Sequence, residues 1–395
     1  MIFKKIPLAW LQLSHEKIRL LVAIAGISFA DILMFMQLGF RDALFESAIR
    51  FHSNLSGDIF IQSPQSTALI SMKSFPSRRL YQSLAFNGVE TATPIYINQA
   101  IWKNPVDGST RGIFVYGFNP RDTKLFQLPG IAENIDKLKT PDTFLFDRKS
   151  RVQFGPIPQL FAEGKKVETE VRNRRIHIGG LFTLGASFGA DGNLITSDTN
   201  FIRLFKRDRG LIDIGVIQVK PGTDIPATVA SMRSYFGYQF KDGKYVPNDV
   251  EVFSRQEFID KELLYWQTGT SIGFIFTLGT TMGFIVGIVI VYQILYTDVA
   301  DHLSEYATLK AMGYTDFYLL TVVFQEAIIL SIIGFFPGMF AAVGLYSMTR
   351  TATNLPLMMT VARATTVLLL TMMMCIISGA IAVRKLRAAD PADMF

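Results

Sequence analysis

The chain has 395 residues, of which 49% are hydrophobic, 12% aromatic and only 18% charged, with a net charge of +6. Soluble domains average about 25% charged residues, so this deficit and the positive mean hydropathy exclude an ordinary soluble globule and point to a membrane protein with a sizeable polar part. The basic excess is small and not interleaved with aromatics, which argues against a nucleic-acid partner. The single cysteine, Cys375, excludes a disulfide framework and a thiolate metal site.

The first segment, 1–19, carries Lys4, Lys5, Lys17 and Arg19 and reads as a cytoplasmic amphipathic tail. A hydrocarbon core about 30 Å thick needs roughly 20 apolar helical residues. Residues 20–40, between Arg19 and Arg41, meet that need as transmembrane helix 1, interrupted once by Asp31. The run is too long for the apolar core of a cleavable signal and lacks a clear small-residue cleavage site behind it, so it reads as a permanent anchor.

Residues 41–262 read as a large α+β extracytoplasmic domain. "GDIFIQ", "RGIFVYGF", "VETEVRNRRIHIGGLF" and "IDIGVIQVK" alternate as strands do, with Pro, Gly and Asn turns between them. "TDIPATVASMRSYF" predicts a helix starting near Asp224–Pro226, and "SRQEFIDKELLYW" another capped by Ser254. The latter flows into the uncharged stretch 263–297 without an obvious breaker. As one helix that stretch is about 50 Å long, more than a bilayer needs, so it is expected to form a stalk continuous with transmembrane helix 2.

Two further spans follow, 327–349 and 364–383, separated by a cytoplasmic loop at 298–326 and a short periplasmic loop at 350–363. Arg384, Lys385 and Arg387 mark the closing tail, 384–395, as cytoplasmic like the opening one. The expected fold is therefore four transmembrane helices with the large domain between the first and second and both termini inside.

Several membrane residues need explaining. A central Asp costs about 2.5–3.5 kcal/mol on insertion scales, so Asp31 is expected to face protein and find a Ser or Thr partner, for example Thr277, Thr280 or Thr281. Such a contact could relay motion or simply fix helix packing. Gly269, Gly273, Gly279, Gly283 and Gly287 share one face of the second span, and Gly279, Gly283 and Gly287 form overlapping GxxxG patterns suited to close helix approach. The sequence leaves open whether that stripe packs within the chain or across a dimer. Pro337 should kink the third span, where Glu326 marks the inner end.

Catalytic and cofactor signatures are missing from the sequence. It has no GxxxxGK[ST] phosphate loop and no HExxH. His15, His52, His177 and His302 have no ligand spacing. The glycine-rich "LGASFGADG" does not match GxGxxG and reads as a loop. No cofactor is expected on this chain and no catalytic residue is assigned.

One stretch, "EYATLKAMGYTDFYLLTVVFQEA", lies between two spans on the cytoplasmic side. Val299, Leu303, Tyr306, Leu309 and Met312 fall at 3–4 spacing and make an apolar stripe, opposite Asp301, Ser304, Glu305 and Thr308. Gly313 then supplies a helix stop. The unit is a short amphipathic helix, either a connector or a device. Its residues Glu305, Leu309, Lys310, Ala311, Gly313, Gln325, Glu326 and Ala327 resemble the cytoplasmic loop of FtsX-like permeases, the MacB-type ABC transporter subunits. "LRAADPADMF" and, in the large domain, "RRIHIGGLF" followed by "GNLITSDTNFIRLF" extend the resemblance. "IPLAWLQLSHEKIRLLVAIAGISFADILMFMQLGF" is most similar to the DevC-type permeases of cyanobacterial glycolipid exporters.

That resemblance implies a non-catalytic subunit that dimerises and binds two copies of a separate ATPase, which uses ATP and Mg. Motion would pass through Glu305, Tyr306, Leu309, Lys310, Ala311, Met312 and Gly313 to the outer domains. These would work on a periplasmic membrane-fusion adaptor and a TolC-like outer-membrane protein, with membrane lipids around the spans and a glycolipid as cargo. It also implies an alternative: FtsX itself regulates periplasmic cell-wall hydrolases without transporting anything.

Overall fold

The computed structural model describes residues 15 and 17–388, except 238, 242–243, 247–248, 303, 306–307, 310–311 and 354. It divides into two compact units, one formed by Leu44–Thr270 and the other by the segments before and after it. Of the amphipathic tail expected at 1–19, residues 1–14 and 16 lie outside the described residues, as do 389–395 of the tail expected at 384–395.

The Leu44–Thr270 unit is built on a nine-stranded sheet. Its strands are β1 (Ile59–Gln62), β2 (Val89–Lys103), β3 (Thr110–Phe118), β4 (Thr143–Asp147), β5 (Val167–Val171), β6 (Arg174–Phe182), β7 (Asn193–Ser197), β8 (Ile214–Val219) and β9 (Glu251–Ser254). The spatial order is β9-β1-β8-β2-β3-β7-β4-β6-β5. A bridge from Trp102 to Val171 brings β2 back to β5, so this part of the sheet curls on itself. Pairing is antiparallel except for β3 with β7 and β4 with β6.

Alternation along β3 shows how both faces are covered. Ile113 and Val115 point into one apolar core, and Phe114, Tyr116 and Phe118 into another on the opposite face. Every residue of β4 and β7 is buried, as suits central strands with parallel neighbours and both faces packed.

The helices, in chain order, are α1 (Lys17–Ser53), α2 (Ser77–Gln82), α3 (Ile157–Ala162), α4 (Asp198–Phe205), α5 (Ile225–Tyr235), α6 (Arg255–Thr268), α7 (Ser271–Asp301), α8 (Asp316–Thr353) and α9 (Val361–Ala388). The Asp224 carboxylate caps α5 by accepting from the Ala227 N–H at 3.0 Å. α6 starts with a full capping box: the Ser254 hydroxyl accepts from Glu257 N–H and the Glu257 carboxylate accepts from Ser254 N–H.

α6 does not run on into the span, contrary to the continuous 263–297 helix expected from sequence. α6 ends at Thr268 and α7 begins at Ser271, and in the break between them the Thr270 hydroxyl donates to the Trp266 carbonyl at 2.9 Å. Gly269, expected on the glycine face of the span, instead closes the last turn of α6 through its N–H to Tyr265 O at 2.8 Å.

Four helices are long and apolar enough to cross a membrane: Lys17–Ser53, Ser271–Asp301, Leu320–Thr353 and Val361–Val383. α8 begins at Asp316, well before the expected 327, and passes through Pro337 without ending. In this second unit glycines of α7 and α8 pack onto α1. A Cβ on Gly287 would lie 3.0 Å from Ala30 Cβ and would overlap Met374; one on Gly279 would meet the Gln37 side chain at 2.5 Å. A Cβ on Gly283 would sit beside Leu33 and Met34 at ordinary contact distance. The stripe therefore packs within the chain, against α1.

α8 approaches α1 through Gly334 and Gly338, a GxxxG pair flanking Pro337. A Cβ on Gly338 would lie 2.9 Å from Asp31 Cβ and 3.0 Å from Ser28 O. The Ser28 hydroxyl donates to Gly334 O at 2.8 Å. By contrast, nothing lies within 4 Å of a Cβ on Gly344, on the same helix. Gly338→Val is expected to force α1 and α8 apart and to lower the thermal aggregation midpoint of the detergent-purified chain markedly, while Gly344→Val leaves it near wild type. Equal midpoints for the two variants would refute the close packing.

Candidate transmission site

Two segments leave the Leu44–Thr270 unit toward apolar spans: α1 at its start and α6 at its end. Within this unit they are joined by a buried polar cluster. Phe258, Glu262 and Trp266 are spaced four apart on α6 and all three are buried, so they line one face of that helix. Glu262 Oε1 accepts from the Trp266 indole N–H at 2.8 Å, and Oε2 accepts from the Leu69 N–H at 2.8 Å. His52 of α1 places Nε2 3.5 Å from Oε2. The His52 ring also packs on Phe258, which stacks on Phe60. One side chain thus ties together α1, α6 and the loop before residue 70.

Burial pushes the Glu262 carboxyl up to about 7, with the hydrogen bonds from Trp266 and Leu69 pulling the other way. A carboxyl whose folded value is raised favours the folded state below its unfolded value of 4.5 and loses that contribution as pH rises toward 7. Glu262→Gln removes this titration, and its amide has only one oxygen for two N–H donors. The variant is therefore expected to be less stable than wild type at acidic pH, with the gap narrowing by about 3 kcal/mol between pH 4.5 and 7. Hydrogen exchange of the α6 amides across that pH range reads it, and a gap independent of pH would contradict the assignment.

In the helical unit, Asp31 is fully buried, and its partner is Thr371 of α9, with Oγ1 2.5 Å from Oδ1. Thr277, Thr280 and Thr281, the partners considered from sequence, instead donate to carbonyls of their own helix. Toward the other end of the bundle, Arg363 of α9 reaches Asp42 of α1 at 2.9 Å, donates to Met358 O and lies over the Tyr346 ring. The Tyr346 hydroxyl donates in turn to Phe35 O. Glu326 is completely buried, with the Asp298 carboxyl of α7 as its charged neighbour. Pro337 lies one residue before the Gly338 contact with Asp31.

Among the residues proposed for coupling, Glu305 and Leu309 are helical, as are Ser304 and Thr308 beside them, and Glu305 and Thr308 are exposed. Tyr306, Lys310 and Ala311 lie outside the described residues. Gly313 has φ +93°, and Tyr314 N–H donates to Leu309 O at 3.1 Å, so the helix closes in a Schellman turn that a side chain at 313 would strain. Met312 is exposed, as are Tyr314 and Phe317 beyond the turn. Arg19 of α1 pairs with Asp301 at the end of α7.

Among the described residues, no cluster of three His, Cys, Asp or Glu side chains could hold a metal ion. Sequence reasoning missed Glu262, although an acid between Phe258 and Trp266 on an apolar face was a readable signal. Gly334 and Gly338 were overshadowed by the proline between them. Nothing in the local sequence pointed to Thr371 or Arg363.

Four helices long and apolar enough to cross a membrane, with a separate α/β unit, define the class of a polytopic membrane protein. Residues 264–391 match the family model of the FtsX-like permease C-terminal domain. No curated protein matches the chain. Solved structures similar to it include the periplasmic region of MacB from Actinobacillus actinomycetemcomitans, at 12% identity and TM-score 0.35, covering 52% of this chain and 92% of that one. The extracellular domain of the noncanonic ABC-type transporter YknZ from Gram-positive bacteria aligns at 10% identity and TM-score 0.34, covering 50% and 100%. A domain of a putative permease protein from Porphyromonas gingivalis aligns at 17% identity and TM-score 0.29, covering 51% and 88%.

Proposed function

We propose that the chain is the permease subunit of a MacB-type ABC exporter, which converts ATP hydrolysis on a separate subunit into motion of the Leu44–Thr270 unit. The observation that carries this reading is the family match over 264–391, which contains three candidate spans and the helical segment closed at Gly313. In this reading the chain dimerises in the inner membrane, each copy binding one of two ATPase subunits through the segment around 304–313. The Leu44–Thr270 unit faces the periplasm, where it acts on a membrane-fusion adaptor and a TolC-like duct. Both termini are cytoplasmic. A glycolipid cargo follows only from the DevC-like N-terminal stretch. The tie at Glu262 supports the mechanical part, because a displacement of α1 or α6 is passed to the other rather than absorbed between them.

Orientation is tested with single cysteines in a Cys375→Ala background. Ser231 is exposed on α5 and Thr308 is exposed beside Leu309. Cysteines at these two positions should label from opposite sides of right-side-out vesicles, and labelling from one side would reject the topology.

The coupling segment is tested by substitution. Gly313→Val should break the Schellman turn, and Leu309→Asp should place a charge on the apolar stripe at a cost of several kcal/mol wherever that stripe is covered. Both are expected to abolish export and stimulation of a co-expressed ATPase, whereas Thr308→Ala changes either by less than about twofold. Wild-type transport and ATPase co-purification with Leu309→Asp would show that the helix only connects two spans.

A further inference from the structure

The 184–190 loop is built with more care than a connector needs. Its base is held by the buried Asp147 carboxylate, which accepts from Leu184 N–H at 3.1 Å and from Gly185 N–H at 2.7 Å, and from Lys149 N–H and the Asn193 amide as well. Arg50 donates to Leu184 O at 3.0 Å. At the tip, Ser187 and Ala190 exchange backbone hydrogen bonds, so Phe188 and Gly189 project as a tight turn. Phe188 is 51% exposed, with its ring edge-on to Trp266 at 5.3 Å, and Ile70, 38% exposed, packs beside Gly189. A firmly held loop that presents apolar side chains to solvent has a use for that surface.

Covalent structure places it. Trp266 precedes Ser271, the first residue of the α7 span, by five positions. Five residues reach about 18 Å at full extension, so Trp266 lies within that reach of the first residue of α7. Exposed Arg148 and Lys149 adjoin the loop: Arg148 N–H donates to Phe182 O, and Lys149 Cβ lies 3.9 Å from a Cβ built on Gly185. Aromatic and aliphatic tips flanked by basic side chains suit the headgroup layer, where rings sit at the acyl boundary and cations meet phosphates.

We propose that Phe188 and Ile70 form a membrane-surface anchor that dips into the lipid interface on the side of the Leu44–Thr270 unit, with Arg148 and Lys149 meeting lipid phosphates. The anchor requires α7 to be a span but neither an ATPase nor a cargo, so it stands apart from the exporter reading. It braces the end of α6, and with it the Glu262 cluster, against the bilayer.

The test uses nitroxide labels on the full chain in nanodiscs of phosphatidylethanolamine and phosphatidylglycerol. Phe188→Cys is labelled in a Cys375→Ala background, with Ser231→Cys as the aqueous reference and Met282→Cys, on the exposed face of α7, as the lipid reference. The label at 188 should collide several-fold more with oxygen than with a nickel chelate, relative to position 231, and the excess should shrink when Arg148 and Lys149 are both changed to Glu. A position-188 label as open to the chelate as the one at 231 would overturn the anchor, as would dipolar broadening from a second copy. An aqueous reading at 282 would overturn the span itself.

Discussion

The carboxyl of Glu262 is the constraint on which the base of the large unit depends. It is buried on a helix face that is otherwise Phe258 and Trp266, and burying an acid is costly unless its oxygens are satisfied. The indole of Trp266 and the Leu69 amide provide that satisfaction, and His52 completes the enclosure from α1. Once those partners are fixed, α1, α6 and the loop before residue 70 have little freedom to move separately. Apolar replacement of buried polar clusters is often neutral or stabilising, so the value of this one lies in specifying one arrangement of the two connections.

The helical unit follows the same logic with different means. Hydrophobic burial gives little preference between helix–helix and helix–lipid contact, so close association rests on small residues and on polar contacts. Gly279, Gly283 and Gly287 on α7 and Gly334 and Gly338 on α8 supply the first. Asp31 with Thr371, Ser28 with Gly334 and Asp42 with Arg363 supply the second, and all three pairs involve α1. A helix held this way on several sides moves with the bundle as a body.

How much of this was readable in advance depends on range. Signals confined to one helix were legible: the four apolar spans, the Ser254 and Asp224 caps, and the glycine stop at 313, which has the positive φ that only glycine adopts without strain. Signals that depend on a partner far along the chain were not. Asp31 announced that it needed a hydroxyl, but Thr371 lies on another helix and was indistinguishable by sequence from Thr277 or Thr280. The break between α6 and α7 was missed because it falls inside the uncharged run 263–297, where the hydropathy pattern does not change. The loop around Phe188 read as plain connector, since the contacts that stiffen it come from Asp147 and Arg50.

The central claim is that both connections to the large unit move together. It is tested most directly by a distance between them during turnover. Glu46 on α1 and Gln267 on α6 are both exposed and belong to the same unit. Spin labels at these positions, in a Cys375→Ala background, report that distance by pulsed dipolar spectroscopy in the ATPase-bound complex. The account predicts one narrow distribution, unchanged between nucleotide-free and ATP-trapped states. A shift or a second population on ATP binding would show that α1 and α6 move independently and that the Glu262 cluster does not join them.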